Sequence, residues 1–426
     1  MKNNTDQLWV EKICRDAREA SYRMALIETT VKNVALRNMA DALEEHQTSI
    51  LEANAADVAE AEEKGVAPQL LDRLRLSESK LEGTILGVRE VADLPDPVSE
   101  ELERTVRPNG LVIRRVRVPL GVVAIVYEAR PEVSADASCL ALKAGNAVIL
   151  RGSSIAHRSD RAIVDVAIGA LVESGLPQGA LSLASGGGHQ ALGDLASQDR
   201  YVDLLIPRGG EGLKAALLRV ATVPLLFAAD GNCHVYVDSA ADLDMAEEIV
   251  VNSKTQRVAV CNTVETLLVH QDLAPSFLPR IFRTLSRQGV ELRLDQLARA
   301  LAPLDLDPSP KDAVETDWDT EYLAPILAVG VVDSAEAAIA HINHHGSGHS
   351  ETIVTTDERV ARLFQQSVDS AAVFWNASTR FTDGHRFGMG AEMGISTQKL
   401  HARGPIGLRE LCSYKFVIDG TGQLVI

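Results

Sequence analysis

Apolar residues in the first hundred positions recur at the spacing of amphipathic helices. Leu36, Met39 and Leu43 are three and four residues apart, which places them on one helical face. Residues 54–65 are rich in Ala and Glu and end in Gly, a composition that favours a helix with a glycine stop. Because the Leu-Pro-Asp-Pro sequence at 94–97 breaks this pattern, we predict a helical N-terminal region that ends in a loop there.

Apolar and basic residues alternate from Val112 to Val118, directly after a Pro-Asn-Gly turn at 108–110. Alternation with a period of two predicts a β-ribbon with one side facing solvent. Because a ribbon of this kind is seldom stable alone, we expect it to pair with another element, for example in a second subunit.

Short apolar segments alternate with helical ones from Gly121 onward. The sequences GVVAIVY, which begins at Gly121, and AVILR, which begins at Ala147, are typical of buried strands. A helix is predicted between them from Val133 to Lys143, and a second series of the same kind runs from about residue 241 to 374. Such alternation predicts an α/β fold with a parallel sheet covered by helices.

Composition narrows the class of protein. The 426 residues are enough for two to three domains, and 46% apolar with 24% charged residues is typical of a globular protein. The net charge of −17 argues against binding to nucleic acid or to anionic membranes. The N-terminus lacks the apolar core of a signal peptide, and the apolar run at 120–127 is too short to span a bilayer. Five cysteines without paired spacing favour a reducing, cytoplasmic setting.

Two turns at the carboxyl ends of predicted strands are candidates for a cofactor site, whereas the Gly-rich stretch 186–193 has neither a GxGxxG spacing nor a P-loop lysine. The residues of the two turns are Arg151, Gly152 and Ser153 in the first, and Arg208, Gly209 and Gly210 in the second. Ligands of open α/β sheets bind at this end of the strands, and arginine binds phosphate bidentately. The alternative interpretation is two ordinary turns with solvated arginines.

Cys261 is the cysteine best suited to chemistry. It lies between a predicted helix and the predicted strand 266–270, a position that exposes a side chain. Its neighbours Arg257 and Asn262 are suited to favouring a thiolate or to binding an oxyanion. The alternative is a buried structural cysteine, which is the usual state of a free cysteine.

Polar residues are dense in two further segments. His341 and His345 share a helical face, but no acidic or cysteine ligand is nearby, so we predict no metal site. In the segment 376–384, Arg380 with Ser378 and Thr379 is suited to receiving a carboxylate, and the alternative is a capping loop.

Long blocks of the sequence resemble the γ-glutamyl phosphate reductase family of the aldehyde dehydrogenase superfamily. The blocks occur in the family's order between about residues 118 and 408, and they are VPLGVVAIVYEARPEVSADASCLALKAGNAVILRG, LIPRGG, GNCHVYVD, CNTVETLLVH, EYLAPILAV, HINHHGSGHSE and NASTRFTDGHRFGMGAEMGISTQKLHARGPIGL. The resemblance implies an aldehyde dehydrogenase-like fold and a homo-oligomer. Its parts are a Rossmann-type NADP-binding domain (1–106 and 120–232), an α/β catalytic domain (233–390) and a β-ribbon oligomerisation arm (107–119 and 391–426).

The resemblance also implies a reaction, the second step of proline biosynthesis from glutamate. The Cys261 thiolate attacks the acyl carbon of L-glutamyl 5-phosphate and expels phosphate, and hydride from NADPH reduces the resulting thioester to L-glutamate 5-semialdehyde. A thioester suits this sequence of steps because it keeps the carbonyl electrophilic while the leaving group changes.

Several residues match positions with a role in the family. Contacts to the dinucleotide are implied for Arg151, Ser153 and Gly209, and Glu321 matches the glutamate that holds the nicotinamide ribose. Arg151 near the expected 2′-phosphate favours NADP over NAD. The residues that match the region bordering the substrate are Asn376, Arg380 and Phe387. We assign Arg380 to the substrate α-carboxylate as a hypothesis.

Two departures concern the nucleophile's surroundings. Hydrolysing aldehyde dehydrogenases carry a water-activating Glu, but residues 227–231 contain none, which suits an enzyme that keeps its thioester from water; Asp230 is a possible substitute. The family usually has a Pro and a small residue before its Val-Cys pair, where this chain has Val258 and Ala259.

Two alternative functions stay open: a hydrolysing aldehyde dehydrogenase for another substrate and an inactive NADP-binding regulatory paralogue. Association with glutamate 5-kinase is a further possibility.

Overall fold

The computed structural model describes residues 3–425, with side chains described for residues 9–210 and 212–425. The chain divides into two compact units. The first consists of Met1–Phe227, Met389–Met393 and Ile406–Ile426, and the second consists of Ala228–Gly388 and Gly394–Pro405. No helix of the described part of the chain is both long enough and apolar enough to cross a membrane.

The N-terminal region is helical, as the apolar spacing predicts. Its helices are α1 (Asn3–Met24), α2 (Thr29–Glu45), α3 (Gln47–Glu63), α4 (Pro68–Leu74) and α5 (Glu78–Asp93). Leu36, Met39 and Leu43 are buried on α2, and Gly65 adopts φ +67° just after α3 ends. Because α5 ends immediately before the 94–97 sequence, the predicted loop is confirmed.

The basic ribbon belongs to a three-stranded antiparallel sheet. Strand β1 (Glu101–Val106) pairs with β2 (Val112–Pro119), and β2 pairs along its whole length with the C-terminal strand Cys412–Asp419. The ribbon therefore finds its partner strand within the same chain. The sheet includes β1 and leaves out residues 391–411, and the bounds of the oligomerisation arm, 107–119 and 391–426, stay a prediction.

A four-stranded parallel sheet forms the centre of the first unit, in the order β5-β4-β3-β6. Its strands are β3 (Val122–Tyr127), β4 (Ala147–Arg151), β5 (Leu181–Leu183) and β6 (Leu204–Arg208), and the following helices are α6 (Val133–Lys143), α7 (His157–Glu173), α8 (Gly188–Ala196) and α9 (Glu211–Val220). Every residue of β3 and β4 is buried, which explains their unbroken apolar sequences.

The second unit contains a seven-stranded parallel sheet in the order β10-β9-β11-β8-β7-β12-β13. Its strands are β7 (Cys233–Val237), β8 (Val264–His270), β9 (Glu291–Leu294), β10 (Lys311–Asp312), β11 (Ile326–Val332), β12 (Ser350–Val354) and β13 (Ala372–Trp375). The helices are α10 (Leu243–Thr255), α11 (Ala274–Arg287), α12 (Gln296–Ala300), α13 (Ala335–His345) and α14 (Glu358–Ser367). A short antiparallel pair, β14 (Ile395–Ser396) with β15 (Gly404–Pro405), precedes β16 (Cys412–Asp419). The predicted α/β fold class is confirmed.

Candidate active site

A cavity of about 370 Å³ lies at the carboxyl ends of β3 and β4 in the first unit. Its lining includes Arg151, Gly152 and Ser153, which are the three residues of the first predicted cofactor turn. The second predicted turn supports the cavity wall instead of lining it. A Cβ on Gly209 would lie 2.8 Å from the carboxyl carbon of Glu128, and the Gly210 N–H donates to the same carboxylate at 3.1 Å. Arg208 donates to the backbone carbonyl of Met393.

The guanidinium of Arg151 is bound to the protein's own backbone. It donates to the carbonyls of Ala184, Gly186 and Gly188 at 2.9, 3.0 and 2.5 Å. These bonds give Arg151 a role in holding the Gly-rich turn before α8. Arg151 also lines the cavity, and its contact with a dinucleotide and the preference for NADP over NAD that we inferred from its position stay predictions.

Gly152 is required at the floor of this cavity. A Cβ there would lie 1.8 Å from Oδ2 of Asp160, a residue that the sequence did not single out. Asp160 is buried, accepts a hydrogen bond from Ser134 at 3.3 Å, and Ser134 also contacts the Tyr127 hydroxyl at 2.7 Å. Burial raises the pKa of Asp160 well above its usual range. The open backbone of glycines 186 and 188, where an added Cβ would meet nothing within 4 Å, fits close approach of a dinucleotide.

In the second unit Cys261 lies in the turn between α10 and β8 and is partly exposed, whereas the other four cysteines are buried. Burial raises the pKa of Cys14 and Cys412 to about 12, and it also raises the pKa of Cys139 and Cys233 well above the usual value of a thiol. Since the thiolate is the nucleophile, these four thiols are poorly suited to chemistry.

The loop before β7 holds the main chain of Cys261. A Cβ on Gly231 would lie 1.5 Å from the Cys261 carbonyl oxygen, so the two backbones are in direct contact. The Cys233 thiol donates to the same oxygen at 3.2 Å. These two roles were not predictable from the sequence, because they depend on β7 and β8 being neighbours in the sheet.

Glu321 also contacts this loop. Its Oε1 accepts the Gly231 N–H at 2.8 Å, and burial raises the pKa of its carboxyl group. Glu321, which is predicted to hold the nicotinamide ribose, is therefore linked to the backbone of Cys261 through Gly231. Binding of the nicotinamide ribose by Glu321 stays a prediction.

Four predicted substrate-binding residues use their side chains to build the turn. Asn262 donates to the Thr382 carbonyl at 2.9 Å and to the Arg380 carbonyl at 3.4 Å, and Thr379 donates to the Asn262 carbonyl at 2.7 Å. Ser378 contacts the Ser253 hydroxyl at 2.9 Å. Asn376 pairs with the backbone of residue 355 through both ends of its amide. These bonds favour a positioning role for the four side chains, and contact of these residues with a substrate or an oxyanion stays a prediction.

Arg257 and Arg380 remain as candidates for direct contact with a substrate. The Nε of Arg380 donates to Oε1 of Gln256 at 3.0 Å, so the buried guanidinium is fixed beside the turn that carries Cys261. Burial lowers the pKa of Arg380, and the nearby charges of Arg386 and Arg257 lower it further. Arg257 is exposed.

Strained backbone conformations occur in both units. Positive φ angles at residues other than glycine occur at Ala129 (41°), directly after β3, at Leu323 (50°) and at Asn376 (55°), with Ser99 as a further example. Such conformations are unfavourable and persist where the surrounding structure enforces them, often at functional sites. As for metals, no group of three or more His, Cys, Asp or Glu side chains among the described residues is arranged to hold an ion.

The family model described as "Aldehyde dehydrogenase family" matches residues 3–304 and 311–417. The chain therefore belongs to the aldehyde dehydrogenase family.

Individual relatives indicate a narrower group of proteins within this family. The chain is 53% identical to a protein of Moorella thermoacetica over 408 residues, which is 96% of each chain, and 52% identical to one of Carboxydothermus hydrogenoformans over 97% of this chain and 99% of the relative. A crystal structure from Thermotoga maritima matches with a TM-score of 0.94 and 43% identity, covering 98% of this chain and 100% of that one. All three are named gamma-glutamyl phosphate reductase. Within the family the chain groups with the proteins of this name.

Proposed function

We propose that this chain is an NADP-dependent oxidoreductase that reduces L-glutamyl 5-phosphate to L-glutamate 5-semialdehyde and phosphate, the second step of proline biosynthesis from glutamate. The observation that carries the proposal is the identity of about half of all residues with gamma-glutamyl phosphate reductases over nearly the full length. The partly exposed Cys261, with its main chain held by Gly231 and Cys233, supports the covalent route.

In the proposed reaction the Cys261 sulfur forms a bond to the acyl carbon, and the bond from that carbon to the phosphate oxygen breaks. The product of this step is a thioester, which remains electrophilic after phosphate has left. NADPH, when bound, supplies the hydride that reduces the thioester carbon. Collapse of the resulting tetrahedral carbon releases the aldehyde and returns the thiolate of Cys261.

The protein's own groups orient these steps. Contact between Gly231 and the Cys261 backbone fixes the nucleophile, and Glu321, held by the Gly231 N–H, is the proposed ribose receptor. In the first unit we assign the cavity at Gly152 and Ser153 to the dinucleotide. Residues 227–231 contain no Glu, which supports a thioester that is not hydrolysed. Arg380 is the proposed receptor of the substrate α-carboxylate.

We expect a cytoplasmic homo-oligomer that assembles through the β-ribbon oligomerisation arm. Association with glutamate 5-kinase remains a prediction. The arm offers an apolar face, because Tyr414, Phe416 and Ile418 alternate along β16 and are 51%, 59% and 56% exposed.

One assay tests the proposed reaction in its reverse direction. Purified protein is incubated with glutamate 5-semialdehyde and NADP, with and without phosphate, and the absorbance of the reduced cofactor is followed. Phosphate-dependent reduction of NADP is expected. Turnover that does not require phosphate would instead identify a hydrolysing aldehyde dehydrogenase, and absence of turnover would identify an inactive NADP-binding paralogue.

A further inference from the structure

Three arginines lie on the two segments that surround Cys261 in the second unit. Arg257 belongs to the 256–262 turn, and Arg380 and Arg386 belong to the 379–386 segment. Some arginines of this unit are paired with carboxylates, as Arg280 is with Asp244 and Arg293 with Asp317. Among the side chains that the structure describes, Arg257, Arg380 and Arg386 form no ion pair with a carboxylate.

Hydrogen bonds fix the two segments against each other. Gln256 accepts from Nε of Arg380 at 3.0 Å, and the Asn262 amide donates to the Thr382 carbonyl at 2.9 Å. Arg257 directly follows Gln256 in the chain. The backbone N–H of Arg386 donates to the Asp383 carboxylate at 3.1 Å, which closes the turn after Thr382.

The proximity of the three charges is also evident in their electrostatic effects. The pKa of Arg380 is lowered by burial and then by the charges of Arg386 and Arg257, while Asp383 acts in the opposite direction. The arginines of the cluster outnumber Asp383, so the cluster carries excess positive charge, which suits an anionic ligand. The anionic groups of the substrate are therefore the expected ligands of this cluster.

The substrate of the proposed function carries an α-carboxylate at one end and a phosphoryl group on the reacting carbon. Arg380 is buried and fixed by Gln256, as suits a receptor for a carboxylate that stays bound throughout the reaction. Arg257 and Arg386 are exposed, as suits a group that must leave to solvent as free phosphate. Two guanidinium groups also match the charge of a phosphate dianion.

We propose that Arg257 and Arg386 form the phosphate subsite of this enzyme, an inference that rests on the proposed function. As the bond between the Cys261 sulfur and the acyl carbon forms, the electron pair of the breaking carbon–oxygen bond moves to the phosphate, whose charge the two guanidinium groups stabilise. In the reverse direction the same pair holds inorganic phosphate while its oxygen attacks the thioester carbon and the thiolate leaves.

The test measures two Michaelis constants in the oxidation of glutamate 5-semialdehyde. Arg257→Ala and Arg386→Ala should each raise the KM for phosphate about tenfold or more, the scale of a lost charged hydrogen bond, and leave the KM for the semialdehyde within about twofold. Arg380→Ala should instead raise the KM for the semialdehyde and leave the KM for phosphate within about twofold. Arg359→Ala is the matched control, because Arg359 is an exposed arginine of α14 and should alter neither constant.

A second measurement requires no turnover. Inorganic phosphate should slow the alkylation of Cys261 by iodoacetamide in the wild-type protein and in Arg359→Ala, but not in the Arg257→Ala and Arg386→Ala double variant. Equal protection in all these proteins, or an unchanged KM for phosphate in both single variants of an enzyme that needs phosphate, would overturn the subsite and leave the proposed function intact. A wild-type enzyme that oxidises the semialdehyde without phosphate would overturn both.

Discussion

Arg151 in the first unit and Arg380 in the second are similar in exposure and different in their hydrogen bonds. Their side chains are 8% and 7% exposed, and both were predicted from the sequence to bind a ligand. Arg151 donates to three backbone carbonyls, whereas the hydrogen bond described for the Arg380 guanidinium goes to one side-chain amide. The difference teaches that a buried arginine is a candidate receptor only after its bonds to its own protein have been counted.

The two units also differ in what a glycine makes room for. Gly152 makes room for the buried Asp160 side chain, and Gly231 makes room for the backbone of Cys261. A side chain is able to move away from an added methyl group more easily than a main chain that carries a nucleophile. We therefore expect substitutions in the second unit to alter turnover and substitutions in the first unit to alter cofactor binding.

The largest expected effect is that of Cys261→Ser. Loss of the thiolate should reduce turnover by at least about 10³-fold, because the covalent route requires it. Binding of NADP, followed by fluorescence titration, should be unchanged, since the proposed dinucleotide cavity belongs to the first unit. Full activity in this variant would contradict a covalent mechanism.

Gly231→Ala should have the next largest effect. The new Cβ would lie 1.5 Å from the Cys261 carbonyl oxygen and 2.6 Å from its Cα, so the nucleophile must shift. A displacement of about 1 Å costs on the order of 100-fold in rate, and we expect that loss in kcat. Gly193→Ala on α8, where the new Cβ meets nothing within 4 Å, serves as the control and should retain wild-type activity. An active Gly231→Ala enzyme would show that the contact does not position the thiol.

Arg380→Ala should raise the KM for glutamate 5-semialdehyde by about tenfold to 100-fold, in keeping with the loss of a charged hydrogen bond. Because its guanidinium is anchored by one side chain, the melting temperature should change little. Steady-state kinetics and thermal unfolding of the same preparation separate these outcomes. An unchanged KM with retained oxidation would rule out the assignment of Arg380 to the α-carboxylate.

The sequence predicted elements better than it predicted roles. Period and composition were sufficient for α6 at Val133–Lys143 and for β4 at Ala147–Arg151, since these depend on local burial. The function of Gly231 was not predictable, because it arises from the pairing of β7 with β8. Asn262 was interpreted as an oxyanion donor from its place beside Cys261, but its amide is bonded to carbonyls some 120 residues away in the chain. Local chemistry is visible in a sequence, whereas competition from distant backbone acceptors is not.

The smallest effect, and the sharpest test of the opening comparison, is that of Arg151→Met. Three backbone carbonyls would lose their donors, so the free energy of unfolding should fall by about 1–3 kcal/mol. The KM for NADP should rise a few-fold as the turn before α8 loosens, while the KM for the semialdehyde stays unchanged. Arg161→Ala, which removes an exposed pair with Asp165 on α7, should change stability by less than about 0.5 kcal/mol. If Arg151→Met were as stable as the control but bound NADP far more weakly, Arg151 would be a ligand receptor like Arg380, and the distinction between the two arginines would not hold.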